Sequence, residues 1–251
     1  MFSKLKAKDI VTYLFVVLLS ILGGISLVLC DVVRDVDIIK SWSALRETGA
    51  LNELIDYTVR IVIPLLVFCT VGYFIGKKTS NVLDGYRNKK LNLVFWILLV
   101  VGSFVLPIVY FEFQTRLGNY SLYAFNIYRF IKAIIYDGIV EELIFNYCFT
   151  SLICFSLVKV FCKKTNKLNK KYLIIGCVFS ALFLFSFQLN SLATLYNVTI
   201  GLLVWAVSQY LIMDCIYVYV YVKYGLRYSI LVHILFSFML VGFCPYFLVA
   251  I

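Results

Sequence analysis

Histidine is almost missing from this chain: His233 is the only one in 251 residues. A zinc centre built on several imidazoles is therefore excluded, and no metal or cofactor is expected. Paired cysteines are missing too. The eight thiols contain no CxxC pair, which argues against a disulfide framework or a thiolate metal site and for buried free thiols. Proline occurs three times, as Pro64, Pro107 and Pro245, each inside an apolar run where it is expected to bend a helix. No internal repeat or low-complexity tract is visible, as a carrier built on inverted repeats would show. Charge is scarce, at 14% of residues, and it is segregated between long apolar stretches.

What fills the chain instead is hydrocarbon. Hydrophobic residues make up 63% of it, and the mean hydropathy is +0.96. A soluble domain is nearer about half apolar. Apolar runs cover roughly 10–30, 58–76, 92–112, 125–161, 172–189, 195–222 and 228–250. Each can cross about 30 Å of hydrocarbon at a rise of about 1.5 Å per residue. The fold class is therefore all-α, a multi-pass transmembrane helical bundle of about seven membrane helices, forming one membrane domain over 1–251. The fourth run is overlong. It is expected to start as an interfacial segment carrying Arg129 and Lys132 and then to turn inward.

The net charge of +10 does not indicate nucleic acid, because it forms no continuous basic face. Segments 1–9, 77–91, 159–171 and 223–227 hold sixteen of the 23 basic residues. Such asymmetry sets orientation and places the N-terminus in the cytoplasm. Segment 31–60 holds six of the thirteen acids, as a solvated outer loop would. Its SALRETGALNELIDY stretch is expected to form a short surface helix.

Acids within membrane helices are costly and therefore mark function. Asp137, Glu141, Glu142 and Asp214 are the notable ones. Glu141 and Glu142 are adjacent in VEELIFNYCF, flanked by apolar residues. Two such carboxylates cannot both ionise cheaply without partners, and one of them is a general-base candidate. Asn146 follows Glu142 by four residues, on the same helical face. His233 lies in YSILVHILFSFML, with Ser237 one turn later, and Gln188 ends the fifth run.

These segments resemble the CPBP (CAAX-processing and bacteriocin-processing, or Abi) family of intramembrane proteases over roughly 125–240. The family pattern is a Glu-Glu pair, three intervening residues and Arg, then Phe-x-x-x-His, then His-x-x-x-Asn. Here Glu141-Glu142-Leu-Ile-Phe-Asn146 matches the first motif with Asn for Arg, and His233 with Ser237 matches the third with Ser for Asn. In the second, Leu184 and Gln188 stand where Phe and His are expected. The resemblance implies a helical bundle with an internal polar cavity, in the membrane of a bacterial cell. There a glutamate activates water against a peptide bond of a membrane-associated peptide or protein. Glu141, Glu142 and His233 are the expected catalytic residues, supported by Asn146, Gln188 and Ser237. The family also holds bacteriocin self-immunity factors and non-proteolytic regulators, so a non-enzymatic partner-binding role is the alternative.

Depth sets a difficulty. Glu142 lies 17 residues from Lys159, about 25 Å from the cytoplasmic end, whereas His233 lies only six residues after Arg227, about 9 Å. For the two to meet, the helices must tilt strongly or the Lys223–Arg227 turn must dip into the bundle.

Overall fold

The computed structural model describes residues 7–32, 50–88, 90–116, 126–162, 168–195 and 200–245. These are helical apart from short connections, with no strand among the described residues. Seven helical runs follow one another. They are α1 (Ala7–Val32), α2 (Ala50–Thr79), α3 (Leu93–Val100 continuing to Leu106–Arg116), α4 (Ile127–Phe161), α5 (Lys170–Leu195), α6 (Ile200–Ala206 continuing to Ile212–Tyr224) and α7 (Leu226–Phe243). Five of them, α1, α2, α3, α4 and α7, contain stretches long and apolar enough to cross a membrane. The protein is thus a multi-pass membrane helical protein.

Local sequence explains several boundaries. Asn126 opens α4 by accepting hydrogen bonds from Tyr128 N at 2.9 Å and Arg129 N at 3.2 Å. Asn92 does the same for α3 through Phe95 N, and Asn169 for α5 through Lys171 N. A short side chain with a carbonyl oxygen satisfies N–H groups that the first helical turn leaves unpaired. Gly225 separates α6 from α7 at a φ of +95°, a conformation that glycine tolerates best.

Two expectations differ from the fold. SALRETGALNELIDY makes no separate surface helix: from Ala50 onward it is the start of the continuous helix α2, while its earlier residues lie outside those described. The fourth run does not turn inward after an interfacial segment. It continues as one helix of 35 residues, because Lys132 finds an anion within its own helix. Its Nζ pairs with Asp137 at 2.8 Å, and this removes the need to reach water.

The bundle is apolar on its outside. Val11, Phe15, Ile63, Phe68, Trp96, Ile174 and Phe179 are all exposed, a distribution suited to hydrocarbon and unlike a soluble surface. Helix α4 stands at the centre, packed by α1, α2, α5, α6 and α7. Small residues allow its closest approaches. Gly72 and Gly76 of α2, a small-xxx-small pair, lie against Cys148 and Tyr147 of α4. A Cβ at Gly138 of α4 would come within 2.8 Å of Ile234 on α7. Substituting Gly138 by Val is therefore expected to separate α4 from α7 and lower the apparent Tm in detergent; an unchanged Tm would contradict this packing.

Candidate active site

The central helix α4 is wider than an α-helix around its acids. The Glu141 N–H donates to the Tyr136 carbonyl five residues back, and the same register continues over Glu142–Thr150. Widened turns of this kind recur at functional sites. Along one face Gly138, Glu142, Asn146 and Thr150 are all buried. Asn146 Nδ2 donates to Glu142 Oε2 at 2.8 Å, and Thr150 Oγ1 donates to Asn146 Oδ1 at 3.2 Å.

Helix α7 meets this column from the opposite side. His233 Nδ1 lies 3.0 Å from Glu142 Oε1, and the Ser229 hydroxyl donates to Glu142 Oε2 at 2.5 Å. The Tyr217 carbonyl lies 3.1 Å from the same hydroxyl. Glu142 is 2% exposed, so its carboxylate has exchanged water for three protein partners. Helix α6 fixes the imidazole plane: the Tyr217 ring stacks on His233 with centroids 4.1 Å apart and planes at 15°.

The depth difficulty is resolved at the α6–α7 turn, where Tyr224 and Gly225 are buried while Arg227 stays exposed. Tyr221 and Ser151 share a hydroxyl–hydroxyl bond of 2.5 Å, holding the end of α6 beside the middle of α4. Leu226 packs against the buried clusters that contain Leu83 and Tyr73. The segment after α2 lies over the turn, with Asn88 N donating to the Lys223 carbonyl at 2.6 Å. With the turn held there, two turns of α7 from Leu226 bring His233 to Glu142.

The remaining residues divide. Glu141 is half-buried and takes no part in the hydrogen bonds around Glu142 among the described residues. Ser237 is buried at 5% exposure on α7, outside the bonded set around Glu142. Gln188 is not joined to Glu142 or His233; its partner is Asp214 of α6. Asp214 is 3% exposed, and its Oδ2, together with Gln188 Oε1 and the Tyr217 hydroxyl, has no hydrogen-bond partner among the described residues. The sequence reading assigned no role to Ser229, Tyr217 or Thr150. The one available signal was spacing: Ser229 precedes His233 by four residues, on the same helical face.

Residues 121–239, spanning α4 to α7 and every residue of this site, match the family model described as type II CAAX prenyl endopeptidase Rce1-like. The similarity to that family extends over 119 of the 251 residues. No curated protein and no solved structure matches the chain. The similarity supports a membrane-embedded, CAAX-type protease-like character for this segment. Of the features that the resemblance singled out, Glu142 and His233 are in contact in this segment.

The Ser229 bond is a local test of that centre. Ser229→Ala leaves Glu142 Oε2 with Asn146 alone, and a buried hydrogen bond to a carboxylate is worth about 1–3 kcal/mol. A fall of several degrees in apparent Tm in detergent is expected. An unchanged Tm would show that the Ser229 hydroxyl does not hold the carboxylate.

Proposed function

We propose that this protein is a CPBP-type intramembrane endopeptidase. In this reading Glu142 and His233 act together on a water that attacks a peptide bond of a membrane-associated peptide or protein. The observation that supports it is the 3.0 Å contact between Glu142 Oε1 and His233 Nδ1 within a buried polar centre. An ionised Glu142 takes the Nδ1 proton as a hydrogen bond and leaves Nε2 with a lone pair. Water at Nε2 gives its proton to the ring as its oxygen bonds to the carbonyl carbon. Glu142 stabilises the imidazolium so formed, and the ring returns the proton to the amine nitrogen as the C–N bond breaks. The oxyanion needs donors. Asn146 has a second amide N–H to offer, and the Gln188 amide and Ser237 hydroxyl are the other candidates. Glu141 is the second carboxylate of the site. The membrane would be the plasma membrane of a bacterial cell, and the domain would extend over 1–251 with its catalytic core at 125–240.

A second reading rests on the departures from the family motifs. Asn146, Gln188 and Ser237 replace Arg, His and Asn, and both carboxylate oxygens of Glu142 already have protein partners. A buried hub of this kind also serves a non-enzymatic immunity or regulatory protein that binds a peptide or partner.

Peptides from membranes of cells expressing the protein, compared by mass spectrometry with those from cells expressing Glu142→Gln at equal inserted amount, separate the two. The endopeptidase reading expects cleavage products that disappear in the variant. Identical peptide patterns, with partner binding retained, would replace it by the second reading.

A further inference from the structure

Helices α5 and α6 run antiparallel and leave a groove of about 570 Å³ between them on the outer face of the bundle. Its two ends differ chemically. At one end stand Lys170, the first residue of α5, and Lys223, near the last of α6, with Tyr86 beside them. At the other end the walls are Val178 and Cys215. Eight residues separate Lys170 from Val178, so the apolar floor extends about 12 Å from the charged end. Val218 and Val222, at 1% and 2% exposure, close its back.

The charged end carries positive charge without compensation. No acid lines the groove. The neighbouring Asp84 is already engaged by Arg87 at 2.8 Å, and Lys223 Nζ faces the Tyr86 ring at 6.0 Å from its centroid. Neither Lys170 nor Lys223 takes part in an ion pair among the described residues. Segment 159–171, which leads into α5, holds six lysines and no acid. Clusters of four to eight basic residues beside a membrane helix read as sites for anionic lipid, as do basic pockets between such helices.

We infer that this groove binds an anionic glycerophospholipid, with its phosphate at Lys170 and Lys223 and one acyl chain along the floor towards Val178 and Cys215. Lysine suits this place because its stem can lie along apolar surface while the ammonium reaches the headgroup layer. The site lies on the opposite side of α6 from Tyr217 and His233, so lipid binding there is separate from the chemistry at Glu142.

Native mass spectrometry of the delipidated full chain, with phosphatidylglycerol and phosphatidylcholine of the same acyl chains, tests this. Preferential retention of phosphatidylglycerol is expected, and the Lys170→Ala/Lys223→Ala double variant should weaken it tenfold or more. Val178→Trp, which fills the apolar end and keeps both lysines, should weaken phosphatidylglycerol as well. Glycerol phosphate without chains should not compete. Equal retention of the two lipids, or an unchanged preference in the lysine variant, would overturn the site. So would full competition by glycerol phosphate, which would mean a phosphate site with no role for the groove. Loss of binding in Val178→Trp counts only with an unchanged thermal transition; if that variant unfolds, Ile174→Trp replaces it.

Discussion

Glutamine in place of Glu142 is expected to lower peptide cleavage about 10²–10⁴-fold, the usual contribution of a positioned acid–base group, while the bundle remains inserted. Glutamine has nearly the same shape, so little packing changes. What changes is the hydrogen-bond pattern. The carboxylate accepts from Asn146 and Ser229 on one oxygen and faces His233 on the other. An amide has only one acceptor oxygen and places an NH₂ on its other side. If the oxygen stays with Asn146 and Ser229, the NH₂ faces His233 Nδ1. The imidazole then has to accept there and carry its proton on Nε2, so it can no longer take one from water. If the amide is reversed, its NH₂ meets the Asn146 amide, donor against donor. The first arrangement stops proton transfer with the fold nearly intact; the second keeps an acceptor at His233 Nδ1 but leaves the imidazolium without a carboxylate and sets two donors against each other. Cleavage of a membrane-associated reporter peptide in vesicles, with inserted protein measured in parallel, is the test. Activity within threefold of the parent would remove Glu142 from the mechanism. A large loss in Glu141→Gln with Glu142→Gln unaffected would make Glu141 the essential carboxylate in place of Glu142.

Gly76→Ala is expected to give the largest loss of stability among conservative changes, about 1–3 kcal/mol or more. A Cβ there would lie within 2.5 Å of the Tyr147 carbonyl oxygen and closer still to its ring. The ring could rotate, but the carbonyl belongs to the backbone of α4 and cannot move without carrying Asn146 with it. Tyr73 and Phe74 press on the same region from α2, with Tyr13 of α1 behind them. The substitution is therefore expected to lower the apparent Tm and, through Asn146, to disturb the carboxylate. Gly85→Ala, where a Cβ meets nothing within 4 Å, serves as the control. Equal Tm values for the two variants would mean that α2 and α4 are not packed as described.

The membrane class of the protein is legible in the sequence because it depends on length and composition alone. A run of about 20 apolar residues cannot stay in water, and in hydrocarbon it must satisfy its backbone groups as a helix. The Glu142–Asn146 bond is legible for a related reason: four residues along one helix is a local spacing. The order of the motifs is also a one-dimensional property, and it carried the family resemblance. The meeting of Glu142 with His233 and Ser229 was not legible, since 91 and 87 residues separate them. Counting depth from the ends of apolar runs placed His233 far from the carboxylates. That count took each helix as starting from the same level, whereas the Tyr221–Ser151 bond sets the end of α6 beside the middle of α4. The same applies to Gln188, which local spacing could not assign to Asp214. Sequence by itself determined that helices form, which stretches form them, and which acids they carry inward. Only the tertiary structure decided which side chains meet, because the offset between helices depends on close approaches at Gly72, Gly76 and Gly138, on the widened turns of α4, and on bonds between elements distant in the chain.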